Sequence, residues 1–394
     1  MRKLFFFVLA AAALARSSPA NATDCSTLPS PIYVSGIEPA FLPALAAQLT
    51  SSQMTLVFSA TNDCGGLKNV LPPSAGGTLS TGLWTIWDAS GDPGNCDLAA
   101  GGVTADIGIT GLFPAACATN VGVTLPANLA DAQGPIVPYM LVTPAGAGAP
   151  TAISAEQAYY VYGYGFYGGI SPWDSGNQQN LSFYFNAHQA PVDIIGGAIG
   201  VLATSMLGSM VNGSTNMVTS VSSASVPVSA IGMLSSDVYD ASRNLLSALA
   251  FRGYGQDFAW LPDSNGGFDK RNVREGRYVM FAPMHFVALT TAGGQAATSG
   301  GQTILDIVNG TSALAVDLAA LATSNHLVPQ CAMAYGRAQD AFDPTTHYGL
   351  VPSTRTQSCD CYFDAQTSTT SCTSCASTPC LGGTICRRNY CEAF

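Results

Sequence analysis

Positive charge is scarce in this chain of 394 residues. It has 14 lysines and arginines against 24 aspartates and glutamates, and a formal net charge of −10 at pH 7. Between Arg16 and Arg243 the only basic residue is Lys68. Because nucleic acids and anionic lipids are held mainly by basic side chains, this balance argues against both as partners.

Histidine is scarce as well, and the common catalytic motifs are missing. The four histidines are His188, His285, His326 and His347, and their spacing fits no metal-ligand pattern. There is no Gly-x-Ser-x-Gly elbow, no Walker loop and no His-Glu-x-x-His pair. We therefore predict no metal, no cofactor and no enzyme activity. A hydrolase whose catalytic partners are far apart in sequence is the weakest alternative.

Long apolar runs are confined to the N-terminus. Arg2 and Lys3 precede the run 4–15, and Ala20-Asn21-Ala22 supplies small residues for cleavage. This pattern predicts a secretory signal peptide over residues 1–22. No other stretch reaches the roughly 18 apolar residues of a membrane span. We expect an exported protein in the periplasm, outside the cell or on its surface. The residues before Cys25 do not fit a lipidated cysteine.

Cysteine, in contrast, is abundant, with twelve residues. In an exported chain an even number indicates disulfides, whereas the spacing Cys372-x-x-Cys375 alone could also be half of a zinc site. Five cysteines are spread through the body and seven crowd the C-terminus. Because both subsets are odd, complete internal pairing requires at least one bridge from body to tail. The disulfide candidates are Cys25, Cys64, Cys96, Cys117, Cys331, Cys359, Cys361, Cys372, Cys375, Cys380, Cys386 and Cys391.

Residues 31–109 alternate between strand-like and helix-like segments. Strands are predicted at 31–36, 54–59 and 105–109, and helices at 38–49 and 67–71, with glycine-containing turns between them. This alternation is typical of an α/β domain with a parallel sheet. Further along, helices are predicted at 153–162 and 235–249, a strand at 226–234, and one or two helices within 301–322.

Two apolar strands interrupted by proline, near 135–142 and 278–289, bracket the middle of the chain. We interpret them as paired crossovers between two lobes. The first lobe is then 31–137 with 284–340, the second lobe is 138–283, and a cysteine-rich tail covers 341–394.

Two clusters allow two interpretations each. The stretch 249–287 contains Arg252, Lys270, Arg271, Arg274 and Arg277, which form either an anion-attracting rim or a solvated turn and helix flank paired with nearby acids. The aromatic residues either line a sugar-like site or pack a glycine-rich loop. They are Tyr159, Tyr160, Tyr162, Tyr164, Phe166 and Tyr167.

Several short motifs resemble one family. They are Ile-Tyr-Val-Ser-Gly at 32–36, Gly-Gly-Val-Thr-Ala-Asp-Ile-Gly-Ile at 101–109, Ala-Ile-Gly at 230–232 and Leu-Val-Pro-Gln-Cys-Ala-Met at 327–333, together with the stretch 249–287. In this order, they resemble the phosphate-binding branch of periplasmic solute-binding proteins, and among these the exported cysteine-tailed homologues of myxobacterial type. The resemblance covers residues 31–394. It implies an α/β, two-lobed type II fold with two crossover strands and a small disulfide-rich C-terminal module.

The same resemblance implies an anion site between the lobes, with N–H groups at helix N-termini as donors. Ser35 and Gly36 match the first loop, and Asn62, Asp63, Gly65 and Gly66 occupy the second. Asp106 matches the aspartate that accepts from a protonated anion, although such an aspartate can equally cap a turn. His188 lies in the second-lobe loop, as either a ligand contact or a surface residue.

The sequence also departs from the family pattern. Glu38 and Asp63 place carboxylates near the expected anion, and the loop 185–191 lacks the family's arginine and hydroxyl residues. Losing two or three hydrogen bonds of about 1.5–3 kcal/mol each lowers affinity by roughly two to six decades. We therefore predict a solute-binding protein for a small anion such as phosphate, with altered or lost anion specificity. Its expected protein partners are an ABC permease or further copies of the same chain at the cell surface. The alternative is a surface, adhesion or filament protein that keeps the fold without ligand.

Overall fold

A computed structural model describes residues 23–165, 182–185, 190–264, 267–339, 348–353, 357–367, 372–376 and 378–393. The predicted signal peptide and His188 lie outside these residues. No helix among the described residues is long and apolar enough to cross a membrane.

The described residues form eighteen strands and eleven α-helices. The strands are β1 (Thr23–Asp24), β2 (Pro31–Gly36), β3 (Thr55–Ala60), β4 (Ser80–Trp87), β5 (Pro93–Val103), β6 (Ile107–Thr110), β7 (Leu129–Pro144), β8 (Ala152–Ser154), β9 (Ser182–Phe185), β10 (Ser209–Met210), β11 (Ala230–Ser235), β12 (Leu246–Ala248), β13 (Ala250–Arg252), β14 (Phe281–Leu289), β15 (Tyr335–Arg337), β16 (Leu350–Pro352), β17 (Thr384–Arg387) and β18 (Tyr390–Ala393). The helices are α1 (Leu42–Thr50), α2 (Gly65–Val70), α3 (Pro114–Val121), α4 (Ala155–Tyr164), α5 (Ala190–Ile199), α6 (Ser214–Ser222), α7 (Ser236–Ala241), α8 (Arg271–Arg274), α9 (Ser299–Val308), α10 (Leu318–Ser324) and α11 (Asp360–Thr367).

One mixed sheet runs through the body in the order β1-β5-β4-β3-β2-β6-β14-β7-β11-β9-β10, and β12 pairs with β7. The predicted parallel pairing is present, because β2 lies parallel to both β3 and β6. The hairpin β4–β5 is antiparallel. We call β1–β6 with their helices the first lobe, and β9–β11 with theirs the second lobe.

The two proline-broken strands pair with each other. β14 is antiparallel to β7 from Phe281 opposite Pro138 to Leu289 opposite Leu129, with an irregularity after Pro283. β7 then continues into the second lobe, where it pairs with β11. Proline cannot donate to the ladder, and this agrees with a local break at such a position. The lobe boundaries at 137/138 and 283/284 stay predictions.

The helix predicted at 235–249 is too long. α7 ends at Ala241, and Leu246–Ala248 forms a strand against Pro144–Val142 of β7. Leu246 and Leu249 are buried, and buried apolar residues fit a helix or a strand equally well. The prediction for 153–162 is better, because Ser154 caps α4 and forms a capping box with Gln157.

Six disulfides use all twelve cysteines. They are Cys25–Cys96, Cys64–Cys117, Cys331–Cys359, Cys361–Cys372, Cys375–Cys386 and Cys380–Cys391. Cys331–Cys359 is the bridge from body to tail that the odd numbers required, and the prediction of disulfides is confirmed.

Candidate functional site

The first predicted loop lies at the carboxyl end of β2, but its hydroxyl is used internally. Ser35 is fully buried. Its Oγ donates to the carbonyl of Ser59 at 3.2 Å and accepts from Nδ2 of Asn69 at 2.7 Å. The Ser35 side chain therefore connects β2 to β3 and α2, and both of its hydrogen-bonding roles are filled within the first lobe.

Gly36 lies where two backbones come close together. Its φ is +140°, and a Cβ added there would collide with the carbonyl of Ile109. The same carbonyl accepts a hydrogen bond from the amide of Ile37 at 3.2 Å. A glycine is required for this close packing. The resemblance predicted a ligand contact for Gly36, and that role stays a prediction.

The second predicted loop joins β3 to α2, and its polar residues differ in exposure. Asn62 is exposed, whereas Asp63 is buried. Gly65 and Gly66 form the first turn of α2, and Gly66 packs closely on the backbone of Ser35 and Ile109. The disulfide Cys64–Cys117 fixes this loop to α3. The loop therefore holds Asp63 in a defined place.

Asp63 reaches across to the second lobe. Its carboxyl group accepts a hydrogen bond from the backbone amide of Ala190, the first residue of α5. Gly111 lies between them, because a Cβ added there would be 2.8 Å from Cβ of Ala190 and 3.0 Å from Oδ1 of Asp63. We call Asp63, Gly111 and Ala190 the interlobe junction.

The environment of Asp63 favours its neutral form. Its surroundings together raise the pKa of Asp63 from 3.8 to about 7: burial contributes most and Asp193 on α5 adds to it, whereas the backbone amides of Ala190 and of Asp63 itself lower it. Its Oδ2 is buried and has no hydrogen-bond partner among the residues that the structure describes. An acceptor without a donor is costly in such a place, by about 1–3 kcal/mol. The interlobe junction therefore contains an acidic group with one unused oxygen.

Asp106 lies apart from the interlobe junction. It precedes β6 and sits beside Tyr33, three residues before Gly36, which places it about 10 Å back along the sheet. Its Oδ2 accepts from the amide of Tyr33 at 2.8 Å. Burial raises the pKa of Asp106, while the bonds from Tyr33 and Thr298 lower it. The structure brings Ser35, Gly36 and Asp63 to one end of the sheet and Asp106 to the other. The ligand role of Asp106 stays a prediction that this geometry does not support.

His285, whose spacing from the other histidines fits no metal-ligand pattern, contacts an acid near the end of the sheet that holds Ser35, Gly36 and Asp63. His285 of β14 is fully buried and lies opposite Thr110 of β6. Its Nδ1 is 2.8 Å from Oδ1 of Asp131, and its ring packs on Phe113 at 4.2 Å. Within the described part of the chain its Nε2 has no hydrogen-bond partner. Sequence reasoning missed this pair because the two residues are 154 positions apart.

In the basic stretch 249–287, two of the five cations are buried in ion pairs with acids, which differs from the expected solvated flank but agrees with the expected acidic partners. Lys270 is 1% exposed, and its Nζ lies 2.6 Å from Asp240 and 3.0 Å from Asp263. Arg274 is 6% exposed and pairs with Asp360 at 3.0 Å and with Asp364, both in α11 of the tail. Buried charges need such partners. Most of this stretch therefore stabilises structure.

The tyrosines of α4 divide into two groups. Tyr162 is fully buried, and its hydroxyl donates to the carbonyl of Tyr184 at 3.4 Å. Tyr159, Tyr160 and Tyr164 contact one another, with ring centroids 5.6–5.9 Å apart. Phe166 and Tyr167 lie outside the described residues.

The tail packs on the body as a unit. Glu392 is fully buried, and its carboxylate accepts from the amides of Cys361 and Tyr362 at the start of α11 at 3.1 and 2.9 Å. A groove of about 1070 Å³ lies between tail and body, bordered by Gln133, Asp317 and Arg388. This groove is separate from the interlobe junction. Arg388 pairs with Asp317 across one side of it.

Comparisons with known proteins identify the architecture. No protein-family model matches the chain, and no curated protein matches its sequence. A phosphate ABC transporter substrate-binding protein from Clostridium perfringens, solved with bound phosphate, has 14% identity and a TM-score of 0.50, covering 76% of this chain and 99% of the other. A phosphate transport receptor from Vibrio cholerae has 15% identity and a TM-score of 0.48, covering 75% and 99%. OxyR from Corynebacterium glutamicum has 9% identity and a TM-score of 0.38, covering 75% and 68%.

These neighbours are binding proteins and a transcription regulator, not enzymes. Identities this low show the fold alone. The Clostridium perfringens protein, with its TM-score of 0.50, supports the assignment of the fold. Six disulfides are typical of proteins in an oxidising, extracytoplasmic environment. The chain has the mixed α/β fold of type II periplasmic binding proteins, with several disulfides in its C-terminal region.

Proposed function

We propose that the protein is an exported solute-binding protein that takes a polar solute carrying hydrogen-bond donors, in place of a phosphate dianion. The fold supports the solute-binding role, because loops from both lobes meet at the carboxyl ends of β2, β3 and β6. One observation supports the change of ligand: the interlobe junction presents the buried, unpartnered Oδ2 of Asp63. A hydroxyl, an ammonium group or a protonated acid could donate to that oxygen.

Electrostatics also argue against the phosphate dianion. The groups that shift the pKa of Asp63 are its burial, two backbone amides and Asp193, and none of them is a basic side chain. Two like unit charges about 4 Å apart repel by about 4 kcal/mol near a protein surface. For an ionised Asp63 facing a dianion, a penalty of that size removes about three decades of affinity. Delivery of the solute to a membrane permease is part of the proposal, as is the cysteine-tailed myxobacterial subtype.

A thermal-shift screen followed by calorimetric titration at pH 7.5 tests this function. The probes are inorganic phosphate, sulfate, glucose as a neutral polyol and lysine as a cationic solute, at millimolar concentration and matched ionic strength. We expect a shift with glucose or lysine and none with phosphate. A phosphate dissociation constant in the micromolar range would contradict the proposed ligand class.

A second candidate is a surface protein that works through its tail. The supporting observation is the way the tail is fastened: Cys331–Cys359 and the buried Arg274 pairs fix it to the body. Such a rigid module suits adhesion or self-assembly. Light scattering and electron microscopy of the native chain separate the two functions, because an assembly that forms without any solute favours this candidate. A protein that stays monomeric up to millimolar concentration argues against it.

A further inference from the structure

The interlobe junction combines two features that are independent of each other. One is the N-terminus of α5, a helix of ten residues, whose first amide points away from the helix and carries partial positive charge. The other is the Asp63 side chain, which comes from the first lobe, is 7% exposed, and uses one oxygen on that amide while Oδ2 has no partner. A helix N-terminus of this kind is an oxyanion-binding place. Here a carboxyl group of the protein fills it.

Local structure shows that this filling is built into the fold. The disulfide Cys64–Cys117 fixes the residue after Asp63 to α3. Gly111 leaves the space through which Asp63 and Ala190 approach each other, and any larger residue there would push them apart. The backbone amide of Gly111 also lies 3.4 Å from the carbonyl of Asp63. These constraints hold the carboxyl group at the helix, so that a free anion must displace it.

We propose that Asp63 is a specificity-determining residue whose carboxyl group takes the place of an oxyanion at the N-terminus of α5 and thereby excludes dianionic solutes. The inference rests on the proposed function, because it concerns the selection of solutes at the same junction. An ordinary helix cap has a different consequence: its removal would destabilise α5 without creating an anion site. The two interpretations therefore differ in what happens when the carboxylate is removed.

Exclusion by Asp63 depends on pH in a defined direction. Its pKa is about 7, and Asp193 is the charged group on α5 that acts on it. Above pH 7 the Asp63 carboxylate repels a dianion, and below pH 7 the neutral group repels it less. Sulfate is a suitable probe because its own charge does not change between pH 5.5 and pH 8.

The experiment uses the native chain and the variants Asp63→Ser and Asp63→Asn. Serine is short, leaves the amide of Ala190 free and adds a hydroxyl donor, whereas asparagine keeps the shape without the charge. The control Asp97→Asn makes the same change of net charge at an exposed residue of β5. Sulfate binding is measured by calorimetry at pH 8 and pH 5.5, against sodium chloride of equal ionic strength. Circular dichroism checks that each variant is folded. If Asp63→Ser does not fold, Asp63→Asn alone provides the test.

We expect both Asp63 variants to bind sulfate about tenfold or more tightly than the native chain at pH 8, since one like charge is removed. The difference should shrink at pH 5.5. Equal binding by native chain and variants, or an equal gain in Asp97→Asn, would overturn the inference. If no variant binds sulfate, the inference about Asp63 is also wrong. The proposed function is tested separately, by whether the native chain binds glucose or lysine. If the native chain binds neither glucose nor lysine while the Asp63 variants gain sulfate binding, the proposed function is rejected and the inference about Asp63 stands.

Discussion

Replacing Asp63 by asparagine should change the free energy of unfolding by an amount that depends on pH. Relative to the native chain, the variant should become more stable as the pH rises. Burial raises the pKa of this group from 3.8 to about 7. In the unfolded chain the carboxyl group ionises near its ordinary value, so between these two pH values the unfolded state has lost a proton that the folded state retains. The contribution of Asp63 to stability is therefore fully present below pH 3.8 and is lost as the pH rises through 7.

The magnitude follows from the size of the shift. One unit of pKa corresponds to about 1.4 kcal/mol, so a shift of about three units removes about 4 kcal/mol of unfolding free energy between pH 4 and pH 8. Asparagine carries no such charge, and its amide oxygen can still accept from Ala190. We expect the difference in unfolding free energy, variant minus native, to rise by an amount of this order over that range.

Urea unfolding followed by tryptophan fluorescence at several pH values measures this difference. All other titrating groups are common to both chains and cancel when the two are subtracted. Asp97→Asn is the matched control, because Asp97 is exposed and its replacement should give a flat difference. A difference for Asp63→Asn that stays constant within about 1 kcal/mol from pH 4 to pH 8 would refute the reasoning about burial.

Three further perturbations test how the lobes and the tail are held. Gly111→Ala should destabilise the fold by about 1–3 kcal/mol, since the added methyl group collides with Ala190 and Asp63; denaturant unfolding measures it, and an unchanged midpoint would contradict the close packing. Arg274→Met should destabilise the fold by about 3–5 kcal/mol, because two carboxylates of α11 lose a buried partner. The control Arg271→Met breaks an exposed ion pair and should change stability by less than about 1 kcal/mol. Equal effects of the two variants in calorimetric melting would refute this distinction. Removal of Cys331–Cys359 by a double change to alanine should cost about 3–4 kcal/mol from the loop of 28 residues, and limited proteolysis should then release the tail first; simultaneous cleavage of body and tail would argue against independent fastening.

Much of the sheet was predictable because its strands carry strong local signals. β2 has the predicted bounds 31–36, whereas α9 begins two residues before the predicted region 301–322 and α10 ends two residues after it. The hairpin β4–β5 was missed. These strands contain Gly82, Gly94, Gly101 and Gly102 and expose Leu83, so they lack the regular alternation of a half-buried strand.

The candidate site was predictable only in part, for a physical reason. The resemblance placed Asp63 in the second loop of an interlobe site, as a carboxylate near the expected anion, but the sequence did not indicate that this residue is buried. Burial and the contact with Ala190 depend on how two segments 127 positions apart come together. No local pattern encodes such a distance. The unused oxygen of Asp63, like Nε2 of His285, becomes visible only when the neighbours are known.

The scarcity of basic residues and the character of the interlobe junction are connected. Few cations are available, and several of them are enclosed in the structure: Lys270 by Asp240 and Asp263, Arg274 by the tail, and Arg337 by the carbonyls of Val279 and Phe281. Each of these positions contains acceptors that would be costly to leave without a partner. Asp63 has no comparable cation among the groups that shift its pKa, and only two backbone amides, those of Ala190 and of Asp63 itself, favour its charged form. The partial charges of two amides compensate a buried carboxylate incompletely, and the raised pKa of Asp63 follows from this. Because no cation among the described residues pairs with Asp63, its Oδ2 is left to accept a hydrogen bond from a solute. For the same reason, a second negative charge is unfavourable at the interlobe junction.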